Sequence, residues 1–393
     1  MKIGIYNQHI RAMGGGEKRT LAMAEHLSRH HRVSLIVPYK LDTERLEHYF
    51  NVDLSRVEIT VLNRNTIPRF QKRWFIEDAY FNQIKDLNLD LLINNSHESN
   101  LRCPARRGIY MCMFPHQVRE SPLEWKTSDT LVESLVIRGK SLILGPTLKA
   151  VNSYDVVTAN SQFTGHWIEQ RWKRQPEVVY SVGERMATSG NSSQKQPILL
   201  HVGRFTGAPQ KFHHKRQDVL LEAFKRFQFA HSRGWELHFA GSLPQDTAGQ
   251  EFLDQLMTSA RGFAVHFHPG ISFEALRDLY QRASIYWHAT GFGCSAEAYP
   301  ARQEHFGVTT VEAMSAGAVP VVINAGGQRE SVCHARNGFL WNTLDEMLEL
   351  TQSLILDREL LERLGSQAMV DSNQFSREAF LHRIDRIIER LST

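Results

Sequence analysis

Between Glu304 and Ile323 the chain changes its hydrophobic period, and that change limits what it can fold into. A turn at Gly307 is followed by Val308, Val311 and Met314 at helical spacing, and then by the strand-like run Val319-Pro320-Val321-Val322-Ile323, ended by Asn324-Ala325-Gly326-Gly327. A helix that starts near Gly307 and Val308 leaves the amides of Val308, Thr309 and Thr310 without intrahelical partners, ready to meet an anion. Seven residues separate Glu304 from Glu312. One carboxylate therefore stands before the helix and the other about one turn inside it, so that they address different parts of one ligand.

The same alternation runs through the first half. Strands are expected at Lys2 to Tyr6, Val33 to Val37, Val57 to Leu62, Asp90 to Ile93, Gly108 to Met113, Asp155 to Ala159 and Val178 to Tyr180, with a helix over Glu17 to Ser28. This is the pattern of a doubly wound parallel α/β sheet, whose strand carboxyl ends gather ligands. A chain of 393 residues is too long for one ordinary core and suits two domains. Polar, flexible residues between Ser181 and Gln196 mark the linker, and a second series then begins with Pro197 to Val202 and a helix from Lys215 to Phe224.

Glu304 and Glu312, with His305-Phe306-Gly307 between them and Ala313-Met314-Ser315-Ala316-Gly317 after, make a pattern that resembles the signature of retaining glycosyltransferases of family 4. The resemblance implies the GT-B fold, two Rossmann-like doubly wound domains facing across a cleft. The expected division is an acceptor-binding domain over 1–185, a nucleotide-sugar-binding domain over 196–375, and a C-terminal helix in 376–393 packing back on the first domain. It further implies that Glu304 contacts the donor sugar, that Glu312 binds the nucleotide ribose, and that the Gly307, Val308 and Thr309 backbone, beside Phe306, faces the diphosphate. Arg204 in the Gly203-Arg204 turn and Lys215 before the next helix match the cations that hold that diphosphate, with Lys211 and Arg216 as neighbours. Gly241 matches a turn near the nucleotide. Fixed cations suit this chemistry because negative charge builds on the leaving phosphate as the glycosidic bond breaks.

In the first half, Gly14-Gly15-Gly16 opens a helix and permits close backbone approach, so Gly15 and Gly16 resemble the family's glycine-rich loop under the donor phosphates. The spacing is not that of a dinucleotide fingerprint. Family members carry a histidine just before a Phe-Pro pair; here that position is Met113, and His116 follows Phe114-Pro115. His116 either reaches the same pocket from beyond the pair or marks a loop that serves the acceptor differently. His97 is a weaker candidate.

No metal is expected. Asp-x-Asp is absent, and neither His213-His214 nor His266 and His268 have a nearby acid or cysteine in sequence to complete a ligand set. The donor, a nucleotide-diphosphate sugar, is a substrate, and no cofactor is called for. Four scattered cysteines, no signal-peptide pattern and no apolar run of about 18 residues give the expectation of a reduced cytoplasmic chain. Residues 1 to 190 hold 26 Lys and Arg against 20 Asp and Glu. That excess suits an anionic glycan, a lipid phosphate or peripheral contact with the inner face of a membrane, although solubility alone also accounts for it. Nothing points to nucleic acid. The reading is a retaining, front-face, metal-independent glycosyltransferase using GDP-mannose or a UDP-sugar on a glycan, lipid-linked or small-molecule acceptor. The alternatives are a non-catalytic nucleotide-sugar-binding protein, or a phosphorylase or epimerase on the same fold.

Overall fold

The computed structural model describes residues 1–12, 14–63, 76–115, 148–187, 194–207, 214–230, 234–242, 244 and 246–393. His116, Lys211, His213, the basic aromatic segment at 69–75 and most of the stretch 122–150 lie outside the described residues. Two compact units result, one of Met1–Val182 with Phe380–Thr393 and the other of Gly183–Ala379.

The first unit contains strands β1 (Lys2–Tyr6), β2 (Arg32–Val37), β3 (Glu58–Val61), β4 (Leu91–Asn94), β5 (Arg107–Cys112), β6 (Val156–Ala159) and β7 (Glu177–Val178). They form one parallel sheet in the order β3-β2-β1-β4-β5-β6-β7. The second unit has β8 (Gln196–Val202), β9 (Glu236–Gly241), β10 (Val265–Pro269), β11 (Ala283–His288), β12 (Val319–Ile323) and β13 (Phe339–Trp341), again parallel, in the order β10-β9-β8-β11-β12-β13. Strands β4 and β12 are buried at every residue. A parallel sheet covered on both faces requires this, which is why these runs are apolar throughout instead of alternating.

Within each sheet, the two-residue alternation sorts side chains between two cores. In the first unit, Ile3, Ile5, Val33, Leu35 and Ile93 point to one face, where Leu21, Ala24 and Leu27 of the Gly15–Leu27 helix cover them. Tyr6, Ile36, Leu92 and Tyr110 point to the other, onto Tyr80, Ile84 and Trp172. The Arg377–Ser392 helix places Phe380, Ile384, Ile387 and Ile388, a stripe of helical spacing, in the first of these cores. His26 on the Gly15–Leu27 helix meets Asp385 at 2.8 Å on the rim of that contact.

The division differs by a few residues from the expected 185/196 and 375/376 boundaries, for a reason visible in the backbone. The Gly183 amide donates to the Phe375 carbonyl at 3.0 Å, and the Met186 amide to Ser315 Oγ at 2.9 Å. The chain from Gly183 is thereby fixed to the second unit before the polar stretch begins. Among the described residues, no helix is long and apolar enough to cross a membrane.

Ile384 is fully buried in the first unit's core. Ile384→Ala should cost about 2–5 kcal/mol through lost burial and the cavity left behind, read as a lower urea midpoint at unchanged slope.

Candidate functional site

In the second unit the strand order reverses between β8 and β11, and the carboxyl ends of such a pair leave a crevice for ligands. Three side chains meet there. Lys215, between β8 and the Gln217–Ala230 helix, places Nζ 2.5 Å from Glu304 Oε2, and His288, the last residue of β11, places Nε2 3.0 Å from the same oxygen. The Lys215 and Glu304 side chains are 16% and 13% exposed, and that of His288 is fully buried. Burial alone pushes the Glu304 carboxyl up, but Lys215 and the His288 hydrogen bond outweigh it and hold it well below the usual carboxylate range. Burial also lowers His288. A neutral His288 therefore donates Nε2–H to Glu304, and the charged pair is Lys215 with Glu304.

The loop carrying Glu304 is held by backbone contact. The Gly327 amide donates to the Glu304 carbonyl at 2.8 Å. A Cβ on Gly326 would lie 2.3 Å from that carbonyl oxygen, and one on Gly327 2.2 Å from the His305 carbonyl. Only glycines allow Gly326-Gly327 to lie so close. Gly307 has φ +97 and precedes the Val308–Ser315 helix, which has no side-chain cap. The Val308 and Thr309 amides thus stand at an open helix start. Contrary to the sequence expectation, the Thr310 amide does not join them: it donates to the Gly307 carbonyl at 3.1 Å, because the first turn tightens.

Glu312 sits one turn into this helix, buried, with Tyr280 Oη donating to Oε2 at 3.3 Å and the Glu184 amide to Oε1 at 3.4 Å. The Thr309 hydroxyl lies 2.7 Å from Tyr286 Oη. Phe306 precedes this helix start. Its ring is buried edge-on against Phe375 and supports the loop from below.

Gly203 and Gly241 close the other side. A Cβ on Gly241 would lie 2.1 Å from the Gly203 carbonyl, so the ends of β8 and β9 converge because Gly241 lacks one, while a Cβ on Gly203 would meet the Lys215 stem at 2.8 Å. Arg204 follows, exposed, and no described residue bonds its guanidinium. Arg216 is engaged elsewhere: it pairs with Asp218 at 3.2 Å and donates to the Phe292 carbonyl, anchoring the loop after β11.

The first unit repeats the geometry with different chemistry. The order reverses between β1 and β4, whose ends deliver Asn7 and Asn95. Asn95 Nδ2 donates to the Gly16 carbonyl at 2.9 Å and to Thr20 Oγ1 at 2.6 Å, and Asn7 Nδ2 donates to Thr20 Oγ1 at 2.8 Å. Glu17 accepts from the Gly14 amide at 2.8 Å, which fixes the glycine turn at the helix start, with Gly15 exposed. A Cβ on Gly16 would lie 2.1 Å from Met113 Cε. Met113, at the family's histidine position, packs on the loop. Arg19 lies beneath, buried, donating to Asn95 Oδ1; no carboxylate pairs with it among the described residues, and burial pushes its guanidinium down to about 10. His97 is half-buried near this loop, and burial lowers it.

Sequence reasoning missed several of these residues. His288 and its neighbour His201 carried no local signal, since strand-end histidines are uninformative until the sheet order is known. His201 Nδ1 donates to the Trp287 carbonyl at 2.9 Å, and burial beside His288 pushes the ring down to about 3. Gln328 is another, buried against Gly307 with neither amide atom hydrogen-bonded among the described residues. Arg19 and Asn95 lay beside motifs that were read, but on the buried side. The expectation that no acid accompanies His266 and His268 is overturned: Glu236, thirty residues away in sequence, stands beside His266 across two neighbouring strands.

Comparison with known proteins bears on the second unit most directly. Residues 184–370 match the family model described as "Glycosyl transferases group 1". The "GDP-Man:Man(3)GlcNAc(2)-PP-Dol alpha-1,2-mannosyltransferase" of Dictyostelium discoideum is 24% identical over 294 residues, covering 71% of this chain and 54% of that protein. The "Alpha-1,3/1,6-mannosyltransferase ALG2" of the same organism is 24% identical over 266 residues, covering 60% and 61%. The chain thus spans little more than half the length of these curated relatives. Among solved structures, Anabaena Alr3699/HepE in complex with UDP and glucose aligns over 99% of this chain and 100% of its own, with TM-score 0.69 and 16% identity. The fold is GT-B, in two Rossmann-like parallel-sheet units.

Replacing Lys215 by Met leaves Glu304 buried without its cation, at an expected cost of about 3–5 kcal/mol near neutral pH. Because the Glu304 carboxyl is depressed in the folded state, its stabilisation is present above the unfolded value of about 4.3 and is lost as pH falls through the lower folded value. The gap between wild type and Lys215→Met in urea unfolding should therefore be widest above about pH 5 and shrink on acidification. A gap that is independent of pH would show that the pair does not set this carboxyl.

Proposed function

We propose that the chain is a retaining glycosyltransferase of family 4 type that moves a sugar from a nucleotide diphosphate. The observation carrying this reading is the convergence, at the β8–β11 crevice, of a cation, a buried carboxylate and open helix amides. The Val308 and Thr309 amides, Arg204 and Lys215 hold the donor diphosphate. As the glycosidic bond breaks, negative charge passes to the β-phosphate, and donors already in place stabilise it without reorganisation. Glu304 Oε2 is occupied by Lys215 and His288. Oε1 accepts no hydrogen bond from the described residues and is left to receive the sugar hydroxyls.

Glu304 therefore orients the sugar and does not attack it. Its depressed carboxylate, bonded to a cation and an imidazole, is a poor nucleophile, which favours a front-face course over the double displacement of a retaining hydrolase. In that course the acceptor hydroxyl attacks from the side the phosphate leaves, the C–O bond to the acceptor forms as that to the phosphate breaks, and the departing phosphate takes the proton. Glu312 binds the ribose. Metal is not required, since Arg204, Lys215 and the helix amides neutralise the phosphate.

The two curated relatives named above are mannosyltransferases, and the name of one specifies GDP-Man and a -PP-Dol-linked glycan. They support GDP-mannose as donor and a lipid-linked glycan as acceptor. The UDP complex of the structural neighbour keeps UDP-sugars second.

Donor-sugar transfer and hydrolysis assays across GDP- and UDP-sugars test the reading. Glu304→Ala should lower turnover by about 10²-fold or more, and Arg204→Ala should weaken both donor binding and turnover. Unchanged rates in both variants would remove the assignment, and nucleotide-sugar binding without any transfer or hydrolysis would favour a binding protein. NMR of the product should show the donor's anomeric configuration, and a chelator should leave the initial rate unchanged.

A further inference from the structure

We propose that Glu236, His238 and His266 form a binding site for a divalent transition metal, zinc by preference, at the edge of the second sheet, with His268 positioning His238 from behind. Glu236 and His238 alternate along β9 and so share one face of the sheet. His266 stands directly opposite His238 on β10, which is the edge strand. One oxygen of Glu236 is shared: Oε2 lies 3.1 Å from His238 Nε2 and 3.4 Å from His266 Nε2. Zinc bonds of about 2.0–2.2 Å in a tetrahedron require ligand atoms about 3.3–3.5 Å apart, so the 3.4 Å edge already has the right length and the 3.1 Å edge needs to open by only a few tenths of an ångström. All three ligand atoms lie within 4.8 Å of one another. His266 is 47% exposed, so its ring can turn to close the remaining edge, and the open side of the cluster leaves the fourth position to water.

The residue behind the cluster supports this reading. His268 Nε2 lies 3.0 Å from His238 Nδ1, with the two ring planes inclined by 18° and their centroids 5.1 Å apart, the arrangement of an edge-to-edge hydrogen bond. His268 faces Ala240 across the strands, a residue small enough to leave room for the two rings. With metal on Nε2, His238 donates Nδ1–H to His268, the partner that fixes tautomer and ring orientation in histidine metal sites. The acid and imidazole set, two nitrogens and one oxygen, suits zinc over magnesium or calcium. The site begins at the first residue of β9, whereas Gly241, Arg204 and His288 gather at the opposite, carboxyl ends of the strands. Its role is to tie the edge strand β10 to β9, apart from the transfer chemistry.

The test is zinc content after equilibrium dialysis of the full chain, stripped with chelator and freed of any affinity tag, with melting temperature measured in parallel. Wild type should retain a single equivalent and melt higher with zinc. His266→Ala and Glu236→Gln should each weaken retention by at least about tenfold and abolish the zinc-dependent rise while melting like metal-free wild type. His268→Asn should weaken retention by about 10- to 100-fold with the three ligands intact. Trace zinc in wild type, or retention in Glu236→Gln or His266→Ala equal to that of wild type, overturns the proposal. Because neither readout uses a nucleotide sugar, this outcome is independent of the proposed transfer reaction.

Discussion

The ion pair between Lys215 and Glu304 is the constraint around which the second unit's crevice is built. Two charges so little exposed are stable only when each meets the other and the spare lone pairs are satisfied, and His288 supplies the second bond to the same oxygen. The surrounding backbone serves that geometry. Gly203 gives room for the Lys215 stem, whose Cγ would lie 2.8 Å from a Cβ there, and Gly326 and Gly327 press the Glu304 segment into place. A substitution at any of these glycines would move a charge by fractions of an ångström in a medium of low dielectric, where such shifts are expensive.

The first unit meets the same topological situation without an ion pair. At its reversal point the buried groups are neutral amides and a hydroxyl, Asn7, Asn95 and Thr20, arranged around the Gly16 carbonyl. Two charged side chains join them: Glu17, buried on the Gly14 amide, and Arg19, a buried cation with no carboxylate bonded to it among the described residues. The Arg19 charge adds to the positive end of the Gly15–Leu27 helix. The two units therefore offer different surroundings at equivalent positions: a directly bonded ion pair in the second, and in the first a buried guanidinium and a buried carboxylate, Arg19 and Glu17, that do not bond to each other among the described residues.

Strand positions were legible in the sequence because fully buried parallel strands are written as uninterrupted apolar runs, as in Leu91-Leu92-Ile93 and Val319 to Ile323. Glu304, Glu312 and Gly307 were legible because they are close in sequence and the helix fixes their spacing. What sequence could not give was adjacency across the sheet. His288 and Glu304 are sixteen residues apart and Lys215 is farther still, so their meeting depends on β8 and β11 being neighbours. Glu236 and His266 likewise come together only through the pairing of β9 with β10. The freedom of the Thr310 amide was misjudged for a local reason, since a glycine with positive φ permits a tighter first turn than the regular helix assumed from spacing.

The two cations near the crevice differ in a way that bears on how an anion would be received. Lys215 is held by Glu304 before any ligand arrives, so its position costs no ordering when a phosphate binds, but its charge is already half-committed. Arg204 is exposed and its guanidinium is bonded to no described residue, with its full charge and a planar set of donors available. A diphosphate approaching such a pair is attracted first by the free guanidinium, whose field extends into solvent, and meets the fixed ammonium only at contact. Net charge at the crevice then favours the anion because Glu304 is neutralised by Lys215 and leaves Arg204 and the Val308 and Thr309 amides uncompensated. A lysine free in solution beside an unpaired Glu304 would instead place a bare carboxylate next to the phosphate, and repulsion would work against binding.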